Sequence, residues 1–486
     1  MGTGAYPLIL HPNMSAPPTT KPKRKLDRSI VEGPLGRAVW MLAWPTMLQN
    51  MIGGMQGVVD HALVGHFVGY AGNAAIGVAF QIFLVVMVFI SSVFTGMGVL
   101  VSRFAGAGNV EQVNRTVYQA FLAAMGLSLG ILAPAGYFLA PHLLAIVNAA
   151  PEVRAEALPY IRIMFVFSFG MLVFFMMGGA LRSAGDARSP LMLGLLLTVL
   201  NVVFNVVLIT GMGPFPRMGT AGAAAGTAIA GAVVTLVSVW LLFSGRTPIH
   251  WHRGMNWKPD WPIIRELFRF GLPTGFQGVV MNIGGVLMLR FIGSLQESGH
   301  AQAAYAIGYT ELFSFITWTS VGIMGATAAV AGQNLGAGKP ERTARAVPMA
   351  AGIGLVLAAS IGVLFLLIPR PLLAVFGMVD PVGVALGVQL LAFLSVSGLF
   401  ITVALAFTGG LQGTGDTKSP FYISLISQVA LPVGICSVLQ AAGSLTPAGI
   451  WTAIVVGHAT RCALSVLRFR QEKWKDITIG VAPARA

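Results

Sequence analysis

Two carboxylates, Asp60 and Glu311, lie inside long apolar stretches of the sequence, where charged groups are rare. The chain contains 16 Asp and Glu residues, and all the others fall in terminal or connecting segments. An ionised carboxylate in hydrocarbon is costly, so such residues usually face a cavity and are functional. Burial disfavours the charged form, so a proton can bind and leave Asp60, as an ion-coupling site requires. The alternatives are a carboxylate satisfied by helix neighbours such as Gln56, and for Glu311 pairing near the membrane interface.

Signatures of enzymes and cofactor sites are weak. The segment "QNLGAGKP" imitates a phosphate-binding loop, but Gln333 stands where the first Gly belongs and Pro340 replaces Ser or Thr. The two cysteines, Cys436 and Cys462, follow no disulfide or metal-ligand spacing. We therefore expect neither an enzyme nor a bound cofactor.

The composition is that of a membrane protein with many spans. Hydrophobic residues make up 56% of the chain and charged residues 9%, whereas soluble domains carry about 25% charged residues. A spanning helix needs about 20 mostly apolar residues. Twelve stretches qualify: 38–65, 73–100, 117–141, 157–181, 190–212, 221–244, 268–293, 301–332, 346–369, 383–410, 419–441 and 447–467.

The basic residues predict the orientation of these spans. With the N-terminus inside, 25 of the 30 Lys and Arg residues fall in cytoplasmic segments, as the positive-inside rule requires. The five outer residues are Arg154, Arg162, Arg217, Arg290 and Arg370. The net charge of +14 thus reflects topology and contact with anionic lipid rather than nucleic-acid binding. We expect a multi-pass inner-membrane protein of bacterial type with both termini cytoplasmic.

The sequence is an internal duplication. "RSAGDARSP" (182–190) returns as "QGTGDTKSP" (412–420) in the second half, and "WPTMLQ" (44–49) parallels "LPTGFQ" (272–277). An offset of six helices keeps both halves in one orientation, related by a pseudo-two-fold axis along the membrane normal. The glycines of the repeated segment predict a turn, its aspartates, Asp186 and Asp416, a cap, and its prolines a helix start. Direct participation of these aspartates in ion movement is the alternative.

We therefore predict an all-α protein of twelve transmembrane helices in two parallel six-helix bundles. The predicted divisions are a disordered cytoplasmic tail at 1–36, the N-terminal half at 37–244, a cytoplasmic linker at 245–267, the C-terminal half at 268–470 and a cytoplasmic tail at 471–486.

Several segments in this order resemble the multidrug and toxic compound extrusion (MATE) family. They are "PTMLQ" (45–49), "VVDHALVGH" (58–66), "AGAGNVEQ" (105–112), "GALRSAGDARSP" (179–190), "NVVFNVVLI" (201–209), "MGTAGAAAGT" (218–227), "GQNLGAGKPERTARA" (332–346) and "GGLQGTGDTKSP" (409–420). The resemblance implies two bundles around a central cleft, and drug export driven by inward proton or sodium flow.

The resemblance also implies roles for single residues. Members of the archaeal and DinF-like type carry an Asp at the position of Asp60 and a Pro earlier in the same helix, at the spacing that Pro45 has here. Protonation of Asp60 could bend this helix at Pro45. Many members carry a second acid in the N-terminal half, as the last residue of an Asn-x-x-x-Asp motif. This chain has Asn201 and Asn205 at the two positions, so the second acid is replaced by an amide. Thr227 matches a polar position of the family. This replacement favours protons over sodium, and Asp60 would be a metal ligand only with sodium coupling. Plain interhelical hydrogen bonding is the alternative for the two asparagines.

The remaining expected cleft residues combine amide, acidic and aromatic groups suited to bulky cations. They are Gln49, Gln56, Gln277, Asn282, Tyr305, Glu311, Phe313 and Trp318. The acids that the NorM-like branch carries in spans seven and ten are missing from "MNIGG" and "LFITVALAF", which places the chain nearer the DinF-like type.

The predicted function is a monomeric secondary antiporter that exports lipophilic or cationic organic compounds by alternating access. The alternatives are a lipid-linked saccharide flippase of the same superfamily and a dedicated metabolite exporter. A flippase needs cationic groups in its cavity, and the sequence places Arg290 and Arg162 near span ends rather than inside. A membrane-embedded enzyme would need a catalytic cluster at one depth, whereas Asp60 and Glu311 lie in different halves.

Overall fold

The computed structural model describes residues 26–147, 150–252 and 254–480, without the side chains of residues 84–91. The N-terminal half consists of α2 (Leu35–Phe67), α3 (Tyr70–Gly106), α4 (Val110–Leu127), α5 (Ala133–Ile146), α6 (Pro151–Val166), α7 (Ser168–Ser183), α8 (Arg188–Thr210) and α9 (Gly219–Ser244). A π-helical turn at Ser128–Leu132 joins α4 to α5 as one span. Helices α6 and α7 form a second composite span, bent by 52°.

The C-terminal half repeats this order. It consists of α10 (Trp261–Gly293), α11 (Ser298–Tyr305), α12 (Ser314–Gly336), α13 (Pro340–Leu367), the short α14 (Pro369–Val375), α15 (Pro381–Gly413), α16 (Lys418–Ser424), α17 (Leu431–Ala441) and α18 (Pro447–Arg470). The π-helical turns Ala306–Leu312 and Leu425–Ala430 join α11 to α12 and α16 to α17. Each half therefore supplies six spans, and the predicted all-α, two-bundle fold is confirmed.

Length and apolarity independently identify most of these spans. Within the described part of the chain, nine helices are long and apolar enough to cross a membrane, or ten if the bent pair α6–α7 counts as one span. The predicted spans fall on the observed helices, which extend several residues further at many ends. Charged residues such as Arg265 and Glu266 interrupt the apolar stretches in the sequence, so the predicted spans stop there. The helices continue past these residues because helical hydrogen bonds are made by the backbone.

The two halves meet mainly through α2 and α3 of the first and α10 and α12 of the second. Glycines let α3 and α12 touch: a Cβ on Gly106 would lie 1.9 Å from the backbone oxygen of Gln333, and one on Gly336 would lie 2.1 Å from that of Arg103. Gly106 and Gly336 are counterparts in the duplication, and so are Arg103 and Gln333. The pseudo-two-fold relation is therefore visible in the backbone contact itself.

Both ends of the described chain pack on one face of the molecule, here called the terminal face. A short helix, α1 (Ser29–Glu32), buries Ile30 and Val31, and Arg342 donates to the Ile30 and Gly33 carbonyls. A 3₁₀ turn at Lys473–Asp476 buries Trp474, whose ring stacks on Phe469 at 5.1 Å. The disordered tail predicted for 1–36 is thus wrong for residues 29–32, because this apolar pair has a surface to bury; residues 1–25 lie outside the described part.

The predicted linker 245–267 also ends earlier than expected. Helix α10 begins at Trp261, where the Asp260 side chain accepts from the Ile263 amide at 3.4 Å and Pro262 occupies the first turn. Asp260 also pairs with Arg115 at 2.6 Å, so the connection is fastened to the first half.

The duplicated acid-and-base segment is a helix start. Asp186 accepts from the amides of Arg188 and Ser189 at 3.2 and 3.1 Å, at the beginning of α8. Asp416 accepts from the Ser419 amide at 3.2 Å and from its hydroxyl at 2.8 Å, at the beginning of α16. The structure therefore supports the capping interpretation of both aspartates.

Candidate ion-coupling site and substrate cleft

Asp60 lies in the part of α2 remote from the terminal face, and its side chain reaches α8. Asn205 Nδ2 donates a hydrogen bond to Asp60 Oδ1 at 2.7 Å. Asp60 is partly exposed whereas Asn205 is fully buried. A carboxylate at the border of a helix bundle can therefore exchange a proton or cation on one side and remain anchored on the other.

The two predicted asparagines and the threonine continue this contact into the bundle. Asn205 Nδ2 also approaches Asn201 Oδ1 at 3.2 Å, and Asn201 Nδ2 donates to Thr227 Oγ1 at 2.8 Å. Thr227 in turn donates to the Ala223 carbonyl one turn earlier in α9 at 3.0 Å. The structure thus joins Asp60, Asn201, Asn205 and Thr227, from three helices, in one network, and we name it the Asp60 network.

Close packing of α8 on α9 fixes the central asparagine. A Cβ on Gly226 would lie 2.1 Å from Asn205 Oδ1 and 2.8 Å from its backbone nitrogen. Gly222, one turn earlier, lies similarly close to the Leu208 backbone. A segment of small residues in α9 therefore creates the space in which the Asn205 amide faces Asp60.

Gln56, the helix neighbour suggested as a partner of Asp60, has another contact. Its Oε1 accepts from Thr198 Oγ1 of α8 at 3.3 Å. His61 lies beside Asn73 Oδ1 at 2.6 Å through Nδ1, so the adjacent histidine is tied to α3. Sequence reasoning missed Tyr160 of α6, which lies within electrostatic range of Asp60.

Pro45 is buried inside α2, which continues as one helix through it. The next residue, Thr46, donates its hydroxyl to the Leu42 carbonyl at 2.7 Å, whereas the carbonyl that loses its partner because of Pro45 is that of Met41. Gln49, one turn further, lies against Gly178 of α7 and Gly194 of α8. These residues belong to the packed interior of the first half.

In the second half, two predicted cleft residues belong to an aromatic stack. Tyr305 stacks on Tyr309 at 4.9 Å and on Trp451 at 6.2 Å. Phe313 is fully buried and stacks on His458 at 5.9 Å. This stack links the π-helical turn before α12 to α18.

The other predicted cleft residues are dispersed. Gln277 is buried and bonds Ser424 at 2.8 Å and Gln412 at 3.3 Å inside the second bundle. Asn282 is exposed and donates to the Gly278 carbonyl of its own helix at 2.9 Å. The Trp318 carbonyl accepts from Asn50 at 3.4 Å, which places Trp318 at mid-depth between the halves.

Glu311 is partly buried on the π-helical turn Ala306–Leu312. Its carbonyl accepts from the Ser314 hydroxyl. Among the described residues, no Lys, Arg or His lies within 4 Å of its carboxylate. The paired alternative for Glu311 is therefore not supported by the described residues.

Sequence reasoning missed a buried cation. Arg461 of α18 is 2% exposed, although the count of basic residues included it in the cytoplasmic C-terminal set. It lies inside the predicted span 447–467, and this position in an apolar run was the available signal. The argument against a cationic cavity, which considered only Arg290 and Arg162 near span ends, therefore overlooked this residue.

Comparison with known families decides the identity of the chain. The MatE family model matches residues 45–207 and matches again at residues 273–436. The chain belongs to the MatE family. The two matches fall one in each six-helix half, as expected for this duplicated MATE transporter.

Relatives and solved structures agree with this assignment. The chain is 26% identical over 438 residues to the probable multidrug resistance protein NorM of Thermotoga maritima, covering 89% of this chain and 92% of the relative. It is also 26% identical to the multidrug resistance protein MdtK of Pectobacterium atrosepticum, covering 89% and 95%. An outward-facing multidrug resistance MATE transporter of the MOP superfamily superposes with a TM-score of 0.84 at 20% identity, covering 92% of this chain and 98% of that one. That likeness concerns the fold; the closer kinship with the DinF-like type stays a prediction.

Proposed function

We propose that this MATE transporter is a secondary antiporter that exports lipophilic organic cations in exchange for protons bound at Asp60. The observation that carries the proposal is the Asp60 network: a partly buried carboxylate in a membrane span, held by the Asn205 amide of a neighbouring helix. Multidrug resistance proteins among its relatives support export of small organic compounds. The proposed setting is the inner membrane, as a monomer with both termini cytoplasmic.

The hydrogen-bond directions favour a proton over sodium. The Asn205 NH₂ group lies between Asp60 Oδ1 and Asn201 Oδ1, where a cation would otherwise bridge the two oxygens. A sodium ion would need several oxygens turned inward, and here a donor takes the central position. With one carboxylate and neutral partners, the network changes charge by one unit when Asp60 takes up a proton.

The contacts between the halves support alternating access with the cleft opening away from the terminal face. Arg103 of α3 donates to the Thr414 carbonyl at 2.7 Å, and Gln333 of α12 donates to the Ser183 carbonyl at 2.7 Å. Both contacts lie at the terminal face, and Asn50 with Trp318 reaches mid-depth. Asp60 lies beyond this closed region, so protons would reach it from the opposite, outer side. Protonation of Asp60 would weaken its hydrogen bond from Asn205 and favour substrate release. Helix α2 would then bend at Pro45.

Ethidium uptake into proteoliposomes tests this function. With an acidic interior, efflux of protons through inverted molecules should accumulate external dye, and Asp60→Asn should abolish accumulation because the side chain no longer titrates. Glu297→Gln is the matched control, since it removes one exposed carboxylate at a helix start and should transport normally.

A second gradient separates the coupling ions. A sodium gradient at equal pH should not drive dye uptake by the wild-type protein. Uptake that requires sodium would retain the exporter and replace the ion, whereas undiminished uptake by Asp60→Asn would remove Asp60 from the mechanism.

A further inference from the structure

Arg461 is a buried cation deep in the second bundle. It lies nine residues from the end of α18 at Arg470 and fourteen from its start at Pro447. At about 1.5 Å per residue, this places its Cα about 14 Å and about 21 Å along the helix from the two ends. The side chain is too far inside to be explained by the terminal face.

The guanidinium lacks a counter-ion among the described residues. Its contact is a weak one from Nη1 to the Met281 sulfur at 4.0 Å, and no described carboxylate lies within 4 Å. An uncompensated buried charge destabilises a fold by several kcal/mol. A buried cation without a counter-ion can bind an anion that arrives from elsewhere.

The surroundings of Arg461 would suit an aromatic anion. Tyr309 lies within electrostatic range of the guanidinium and belongs to the stack of Tyr305 and Trp451. One turn before Arg461, His458 is held by the Ser397 hydroxyl and stacks on Phe313. Flat rings and one fixed fork of donors thus occupy adjacent positions.

The site belongs to the second half only. The corresponding last span of the first half, α9 (Gly219–Ser244), contains no His, Lys or Arg. The first half instead carries the Asp60 network. The first half thus contributes the Asp60 carboxylate, and the second half contributes the Arg461 cation as well as the partly buried Glu311.

We propose that Arg461 binds the carboxylate of the exported compound while Tyr309, the partly exposed member of the Tyr305–Tyr309–Trp451 stack, binds its aromatic body. This inference rests on the proposed export function and adds to its substrates aromatic compounds that carry a carboxylate beside the cationic group. Arginine binds a carboxylate through two parallel hydrogen bonds. One guanidinium balances one negative charge, whereas a lipid diphosphate carries at least two, so a monocarboxylate is the better match.

The π-helical turn Ala306–Leu312 supplies a means of access. It carries Tyr309, and π-helical turns are irregular segments that often occur at functional sites. Return of this turn to regular α-helix would rotate Tyr309 relative to α18 and uncover Arg461. Substrate binding and closure of the second bundle would then be coupled.

Two dyes with one skeleton test the proposal. Rhodamine 110 carries a free carboxylate, and rhodamine 123 is its methyl ester. Binding is measured by fluorescence polarisation with purified protein in detergent. Arg461→Gln should lower the affinity for rhodamine 110 at least tenfold and change the affinity for rhodamine 123 less than twofold. Arg461→Lys should fall between, because it retains the charge and loses the fork. The melting temperature of Arg461→Gln should stay or rise, since an unpaired buried charge is removed.

The outcomes separate this site from the export function. Equal losses for both dyes, an unchanged affinity for rhodamine 110, or no binding of it to wild type would overturn the proposal. If geranyl diphosphate displaces rhodamine 110 at lower concentrations than naphthoate does, Arg461 is assigned to lipid diphosphates and the proposal is overturned. Arginine-dependent carboxylate binding without gradient-driven ethidium uptake would support the site and reject the exporter.

Discussion

The Asn205 side chain depends on a glycine of the neighbouring helix. Its Oδ1 occupies the space that a Cβ of Gly226 would take, 2.1 Å away, while its Nδ2 faces Asp60. One amide is thereby held between a packing contact and a carboxylate. The geometry of the Asp60 network therefore depends on α9, which bears no charge there, as well as on α2.

Gly226→Ala should impair transport by moving Asn205 away from Asp60. The added methyl overlaps both the side chain and the backbone of Asn205, and overpacking of this kind costs about 1–3 kcal/mol. We expect a lower melting temperature and at least a tenfold lower rate of ethidium uptake driven by a pH gradient.

Gly53→Ala provides the matched control. It makes the same change in α2, the helix of Asp60, where a Cβ would meet nothing within 4 Å. Normal uptake by both variants would show that the position of Asn205 does not govern Asp60.

At the scale of elements, the crossing of α3 and α12 decides how closely the halves approach. The contact is backbone to backbone at Gly106 and Gly336, and each glycine faces an oxygen of the other helix. Such close approach lets helices in lipid gain dispersion energy without large apolar side chains. The crossing therefore depends on the absence of a Cβ atom at Gly106 and at Gly336.

Gly106→Ala should force α3 away from α12 at the terminal face. The new Cβ would overlap the Gln333 carbonyl, and neither backbone can give way without moving a helix. We expect a melting temperature several degrees lower and increased hydrogen exchange of the last turns of both helices.

The comparison is with Gly126→Ala in α4, where a Cβ meets nothing within 4 Å. That variant should melt at or slightly above the wild-type temperature because alanine favours helix. Identical exchange in the two variants would contradict the importance of the α3–α12 contact.

For the whole molecule, Arg103 joins three parts of the chain at the terminal face. It donates to the Thr414 carbonyl at 2.7 Å and to the Ile477 carbonyl at 3.0 Å. The first half thereby holds both the second half and the C-terminal segment. These bonds belong to the conformation that is closed at this face, and the alternating access proposed above requires that they break.

Arg103→Met should shift the transporter toward opening of the terminal face. Two charge-assisted hydrogen bonds are removed from the closed state, a loss of roughly 1.5–3 kcal/mol for each bond to a charged group. Hydrogen exchange of residues 474–480 should rise, and transport should slow because one of the two states loses population.

Arg370→Met is the control, because Arg370 lies at the start of α14 and belongs to the predicted outer set. It should leave exchange at residues 474–480 unchanged. Equal effects of the two substitutions would mean that net charge, and not the contacts of Arg103, controls this segment.

The sequence by itself determined the number of spans and the duplication, and it singled out Asp60 as the candidate coupling residue. Apolar run length sets the first, a constant offset between matching segments the second, and the cost of a carboxylate in hydrocarbon the third. It also indicated Asn201, Asn205 and Thr227, which the structure joins to Asp60. These features are local, or repeat at a fixed spacing, so they can be read from the order of residues alone.

Only the tertiary structure decided which groups remain without a partner. Arg461 looks like a tail residue when basic residues are counted, yet packing of α18 buries it away from every described carboxylate. Gln56 is close to Asp60 in sequence and bonds Thr198 instead, whereas Asn205, far along the chain, bonds Asp60. The reason is that burial and hydrogen bonding depend on distances between helices, and the spacing of residues along one helix does not determine those distances.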